Sequence, residues 1–156
     1  LAITAMRKKN FNKLDFKKIH PAGSLGAQLK TVEDIMLTGK KIPFVNENLK
    51  MKHALKILSN KKLGILIVQN NKKITKGIIT DGQIRRFNES GNDLQSVYVK
   101  EVMTKNPFSI NKNELAAKAL SLMNNKKITS LCVYEKKKLK TIGVIHIHNI
   151  LQTNIS

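Results

Sequence analysis

Two halves of this chain follow one pattern, and that repeat limits the folds open to it more than any other feature. Val32-Glu-Asp-Ile-Met36 recurs as Val99-Lys-Glu-Val-Met103, and Ala54-Leu55 recurs as Ala119-Leu120. Asn60-Lys61-Lys62 returns as Asn125-Lys126-Lys127, and Gly77-Ile-Ile-Thr80 as Gly143-Val-Ile-His146. The offset moves only between 67, 65 and 66 residues, so two short insertions or deletions reconcile the copies. A unit of about 55 residues is marginal alone, because so short a chain buries too little surface. Two units stacked on each other bury more and enclose a cleft along their seam. The repeat therefore points to ligand sensing before any chemistry is considered.

Local patterns define each unit. Thr31, with Asp34 three residues on, is a variant capping box and predicts a short helix ending at Met36. Residues 42–45 form a brief extended stretch. Met51, Ala54, Leu55 and Leu58 make the i, i+3, i+4, i+7 stripe of a one-sided helix over 49–60. The unbroken apolar run Leu63–Val68 predicts a buried strand, and the turn Asn70–Lys73 leads to a second strand, Lys76–Thr80. A helix then starts near Asp81 and stops at Gly91. The second copy reads alike, with a helical stripe at Ala116, Ala119, Leu120 and Met123, strands over 128–135 and 141–147, and a last helix over 148–153. Each unit is thus β-α-β-β-α, an α/β (α+β) arrangement. Its helices can cover one face of a small sheet, and the other copy is the natural cover for the opposite face.

The units divide the chain into 31–92 and 93–156, behind a segment 1–30. Within that segment Leu1–Arg7 reads as the end of a helix, and the small and turn-forming residues of His20-Pro-Ala-Gly-Ser-Leu-Gly26 as irregular chain. A chain that opens on a helix end, at Leu1, is expected to be a piece of a longer protein.

Aromatic residues make up 4% of the chain and Trp is absent, so the core must be aliphatic. The single cysteine, Cys132, lies in the apolar run Ile128–Val133 and reads as a buried small hydrophobe in a reducing compartment. No apolar run reaches the length of a membrane span, so a cytoplasmic protein without a membrane partner is expected. The formal charge of +19 raises nucleic acid as a partner. However, the lysines are scattered in pairs, no aromatic residues interleave with them to stack bases, and Asn and Ile are in parallel excess, as in an AT-rich genome. Those features favour a solvated lysine surface with a mild preference for anionic small molecules.

The layout of Val-x-Asp-Ile-Met36, Leu63–Val68, Gly77–Thr80 and their second copies resembles that of a tandem pair of cystathionine-β-synthase (CBS) domains, a Bateman module. With His20-Pro-Ala-Gly-Ser-Leu-Gly26 upstream, and Thr80-Asp-Gly-Gln-Ile-Arg-Arg86 and Ile145-His-Ile-His-Asn149 inside, the chain is similar to the arabinose-5-phosphate isomerase family. There a sugar isomerase (SIS) domain precedes the CBS pair. The enzyme interconverts D-ribulose 5-phosphate and D-arabinose 5-phosphate on the route to the lipopolysaccharide sugar Kdo. The resemblance implies that residues 1–30 are the tail of that domain plus a linker, and that the parent is an isomerase acting on a sugar phosphate. It also implies a homo-oligomer, and that the present chain alone is inactive. Moving a proton between adjacent carbons needs a group titrating near neutrality, and by resemblance His20 is the histidine that reaches the parent's active site. No cofactor or metal is implied.

CBS pairs hold a nucleotide between their units, and the resemblance places an effector against Thr80, Asp81, Gln83, Arg85, Arg86, Thr129, Ser130, His146, His148 and Asn149. In CBS domains the ribose is commonly held by an Asp three residues after a Ser or Thr that ends the last strand. Here Gln83 follows Thr80, and Asn149 follows His146, so both carboxylates are replaced by amides. Asp81, one residue past Thr80, is read as a helix cap. A helix N-terminus at Thr80 and the guanidinium groups of Arg85 and Arg86 suit an anion. A nucleotide or sugar nucleotide, the latter from the Kdo route, is the expected effector. His146 and His148 sit at strand spacing, which could put both rings on one face, as a polar lining or a metal chelate. His53 is read as a surface residue, and Met36, Met51, Met103 and Met123 as core filling.

Overall fold

A computed structural model of the chain describes residues 29–153. His20 and the rest of 1–28 lie outside the described residues. The first copy contributes α1 (Val32–Ile35), β1 (Phe44–Asn46), α2 (Met51–Lys61), β2 (Ile65–Gln69), β3 (Thr75–Thr80) and α3 (Asp81–Glu89). The second contributes α4 (Val99–Val102), β4 (Thr104–Lys105), β5 (Ser109–Asn111), α5 (Ala116–Lys126), β6 (Ser130–Tyr134), β7 (Gly143–His146) and α6 (Ile147–Leu151). Every helix and strand expected within the described residues is present, with ends moved by one to three residues, and the helix end expected at Leu1–Arg7 lies outside them.

The strands form two sheets, ordered β1-β2-β3-β4 and β5-β6-β7. In each sheet the first pair is parallel, across the helical crossover, and the following hairpin is antiparallel. The expected stripes face the core: Met51, Ala54 and Leu58 on α2 are buried and Leu55 partly so, and Ala116, Ala119, Leu120 and Met123 on α5 are buried. Between the sheets Ile42 and Ile67 meet Cys132 and Val144, which buries the faces that the helices leave bare. At the same seam the hydroxyls of Thr75 and Thr141, equivalent residues of the two copies, share a buried hydrogen bond of 2.6 Å. The halves therefore pack face to face, and Cys132 is the small buried hydrophobe the sequence implied. Burial pushes its thiol up to about 11, which makes it a poor nucleophile.

The short leader of each copy packs in the core of the other. Val32, fully buried, joins Ile110, Ala119, Leu131 and Ile145, whereas Val99 and Val102 join Met51, Ala54, Leu66 and Ile79. β4 pairs antiparallel with β3 of the first copy, and Leu37 bridges Val144 of the second. The exchange accounts for helices that begin without a Ser, Thr, Asp or Asn cap. α2 follows Lys50, and its Met51 N–H donates to the Val97 carbonyl at 2.9 Å; α5 follows Leu115, and its Ala116 N–H donates to the Lys30 carbonyl at 2.9 Å. An otherwise orphaned helix N–H is thus met by the other copy's leader. α1 carries the predicted box, with Thr31 N–H donating to Asp34 Oδ2 at 2.9 Å and Asp34 N–H to Thr31 Oγ1 at 3.4 Å. The hydrogen bonds from Thr31 hold the Asp34 carboxyl below its ordinary value. Met36 and Met103 pack against these cores as partly buried residues, and His53 is exposed.

Candidate functional site

The antiparallel hairpins set Thr80 opposite Ile65 and His146 opposite Ser130, at corresponding ends of the two sheets. Ile65 lies two residues before Ile67, and Ser130 two before Cys132, so strand alternation turns all four residues toward the seam. They floor a cleft of about 830 Å³, whose walls come from both copies. Thr80, Asp81, Gln83, Arg86, Thr129, Ser130, His146, His148 and Asn149 all line it. Arg85 does not: helical phase turns it away from its neighbour Arg86, and it sits exposed outside the cleft.

The strand ends pass directly into helices, and their polar side chains are engaged there. Thr80 Oγ1 accepts from Gln83 N–H at 3.4 Å, and Gln83 Oε1 accepts from Thr80 N–H at 3.1 Å, a closed capping box. Thr80 is therefore the cap of α3. Asp81, read from sequence as a cap, occupies the first helical position instead, with its carboxylate over Gly64, where an added Cβ would lie 3.1 Å from Oδ2. Gln83 Nε2 also donates to the Val102 carbonyl at 3.3 Å and to Thr104 Oγ1, so this amide ties α3 to the exchanged leader.

In the second copy Asn149 Oδ1 accepts from His146 N–H at 3.0 Å, and His146 Nδ1 accepts from His148 N–H at 3.1 Å. The expected strand spacing of the two histidines does not hold. β7 ends at His146 and α6 begins at Ile147, so His148 belongs to a helix. The rings stack with centroids 4.8 Å apart and planes 24° from parallel. Burial, and secondarily the nearby His148 charge, push the His146 imidazole below its ordinary value. Among the described residues no three of His, Cys, Asp and Glu gather in a way that could hold a metal ion.

Sequence reasoning missed several wall residues, above all Lys62, Lys127, Asn106 and Phe108. Lys62 and Lys127 end α2 and α5 in the left-handed conformation, at φ 58° and 57°, where glycine is usual. Asn106 shares that conformation at φ 56°. Such backbone costs about 1–2 kcal/mol for a residue with a Cβ, and it tends to cluster at functional sites. The available signal was the repeated Asn-Lys-Lys motif, which puts a lysine at the same helix end twice. Phe108 is half-exposed at the rim, with Lys126 Nζ 5.2 Å from its ring centroid. Lys62, Arg86 and Lys127 against Asp81 leave the cleft net cationic, a field suited to an anion.

Comparisons with known proteins agree with this geometry. The CBS-domain family model matches residues 32–90 and again 99–154. Arabinose 5-phosphate isomerase KdsD of Yersinia pestis is 35% identical over 156 residues, which is 99% of this chain and 47% of that protein. The chain thus spans about half the length of the curated relatives it matches. Among solved structures, the CBS-pair protein CBSX2 in complex with AMP superposes with a TM-score of 0.71 at 21% identity, covering 80% of this chain and 96% of that one. The CBS domain pair of protein MJ0100, in complex with 5-methylthioadenosine and S-adenosyl-L-methionine, gives a TM-score of 0.69 at 20% identity, covering 79% of this chain and 98% of that one. Two matched units with exchanged leaders and a shared polar cleft place the chain in the CBS-domain family, as a tandem pair.

Proposed function

We propose that this chain is the regulatory CBS pair of an arabinose 5-phosphate isomerase, and that its cleft binds an anionic nucleotide or sugar nucleotide as effector. The observation that carries the reading is the cationic cleft itself, floored by matching strand ends and walled by Lys62, Arg86, Lys127 and the capped start of α3. The likeness to the Yersinia isomerase extends over 99% of the chain, which supports an isomerase parent rather than a chance resemblance of one unit. In that parent, a cytoplasmic homo-oligomer acting on a sugar phosphate, catalysis belongs to the sugar isomerase domain, and His20 is the group this chain supplies to it.

Units 31–92 and 93–156 would move as a pair hinged on the Thr75–Thr141 seam. A ligand that touches both ends of the cleft can bias their relative orientation only through different affinity for two arrangements. A stand-alone nucleotide sensor is the alternative reading, supported by the fold neighbours solved with AMP and with S-adenosyl-L-methionine. Titration calorimetry of the chain with AMP, CMP and sugar nucleotides separates them. Binding of a sugar nucleotide in preference to AMP is the expected result. AMP binding alone favours the stand-alone sensor, and no heat with any of these ligands rejects the effector cleft.

A further inference from the structure

We propose that the second-copy end of the cleft is a donor subsite for an oxyanion that the effector carries beyond its nucleotide phosphates, with Ser130 and His146 as the specificity-determining residues. The inference rests on the nucleotide reading above and adds which second group the ligand must bear.

Ser130 lines the cleft and is only 8% exposed. Its Oγ is the one buried side-chain polar atom without a hydrogen-bond partner among the described residues. A buried hydroxyl is ordinarily paired, and one left open on the wall of a pocket is set to meet a ligand atom. Directly opposite across the β6–β7 ladder stands His146, so both side chains share one face of the sheet. His146 Nδ1 is occupied as an acceptor by the His148 N–H, which puts the proton of the neutral ring on Nε2. Toward a further partner this histidine is a donor. Lys127 adds a cation to the same end. Ser130, His146 and Lys127 therefore offer donors to one acceptor, and a carboxylate or an additional phosphate is the group that accepts from several at once.

The corresponding place in the first copy is different. Ile65 occupies the Ser130 position and faces Thr80, whose hydroxyl is engaged in capping α3. That end offers an apolar floor, Arg86, Lys62 and the start of a nine-residue helix, which suits the nucleotide phosphates. A symmetric backbone thus carries two unlike ends, and such a cleft takes one ligand in one orientation instead of two equivalent ligands.

The test uses the whole chain with two probes, UDP-glucose and UDP-glucuronate, which differ by one carboxylate. Calorimetry should show one equivalent per chain and about tenfold or greater preference for the glucuronate, the discrimination expected when a site is built around one polar group. Ser130→Ala and His146→Asp, the latter keeping a helix-capping side chain but setting a carboxylate against the oxyanion, should each erase most of that preference. Ligand-free Ser130→Ala should melt no lower than the wild type, because its hydroxyl gives up no internal bond. A lower melting temperature, two equivalents per chain, or a preference that survives both substitutions overturns the subsite and leaves the nucleotide reading standing. Failure of the wild type to bind either UDP sugar, or AMP or CMP, overturns both.

Discussion

At the end of β3 the chain reads Thr80-Asp81-Gly82-Gln83, and at the end of β7 it reads His146-Ile147-His148-Asn149. Both segments do the same mechanical work. The first residue ends a strand and caps a helix, and the amide three residues later accepts the backbone N–H of that cap, at 3.1 Å in one copy and 3.0 Å in the other. Their surroundings differ. One end has Arg86, Asp81 and an apolar neighbour, Ile65, while the other has stacked histidines and an open hydroxyl at Ser130. The backbone role constrains the cap and the amide, so substitution is free at the positions between them and on the facing strand. The repeat supplies a symmetric frame, and the copies differ both in the residues around it and in the side chain that caps the helix, Thr80 in one and His146 in the other.

The largest expected effects test whether two unlike copies still form one cooperative body. Leu66 and Leu131 are equivalent and both fully buried, each in a core that contains the other copy's leader. Leu66→Ala and Leu131→Ala should each cost about 2–5 kcal/mol, the usual range for a cavity of that size in a packed core. Because each core holds a leader from the other half, both variants should still unfold in one denaturant transition with the wild-type slope. Two separated transitions would show the copies to be independent domains.

Next in size are the glycines at which the exchanged leaders cross the sheets. A Cβ on Gly77 would lie 2.5 Å from the Thr104 carbonyl oxygen and 3.0 Å from Met103 Sδ. A Cβ on Gly143 would lie 2.5 Å from Met36 Sδ and 3.0 Å from the Leu37 carbonyl oxygen. The thioether can rotate aside and the carbonyl of a paired strand cannot. Gly77→Ala should therefore cost more than Gly143→Ala, within the about 1–3 kcal/mol typical of overpacking. Urea titration of both variants checks the order, and equal losses would show that the two crossings are equally compliant.

How far the sequence could be read follows from the same symmetry. The helical stripes, the strand pairs and the cleft at Thr80 and His146 were legible, because each is a local period repeated twice and the repeats check each other. Leader exchange was not legible: Val32 and Val99 sit in near-identical motifs, and either core would accept either valine by pattern alone. Only the geometry of the connections decides between them. The start of α2 after Lys50 likewise depends on the Val97 carbonyl, far away in sequence, which accepts the Met51 N–H. Lys62 and Lys127 were hidden because a left-handed helix end is read from glycine, and here a lysine takes that conformation. Arg85 and Arg86 look alike in a string, and one step of helical rotation puts only the second in the cleft.

A smaller effect compares the two caps. Thr80→Ala removes the hydroxyl that accepts the Gln83 N–H and should cost about 1 kcal/mol. Gln83 also holds Val102 and Thr104, so Gln83→Ala should loosen the exchanged leader as well, seen as faster amide exchange at Met103, whose N–H bonds to the Val99 carbonyl. Unchanged exchange at Met103 would confine Gln83 to capping.

The subtlest difference between the copies is that one cap titrates. His146 can cap α6 only while Nδ1 is unprotonated, because an imidazolium has a second N–H where the His148 N–H must donate. Burial, joined by the charge on His148, lowers its folded value below the ordinary 6.5, so the unfolded chain binds the proton more readily. The stabilisation from this group is accordingly full above pH 6.5 and is lost as pH falls from there through the depressed folded value, below which both states are protonated and the slope vanishes. His146→Asn keeps a side-chain acceptor suited to a helix N-cap and removes the titration. Urea unfolding of both proteins from pH 8 downward should show the wild type losing stability relative to the variant across that window. At the Thr80 end the cap is a hydroxyl, and no comparable dependence is expected from it. A wild-type minus variant difference that stays flat with pH would mean that the His146 ring caps α6 equally well in both charge states, and that the two ends of the cleft differ in hydrogen-bonding groups but not in proton linkage.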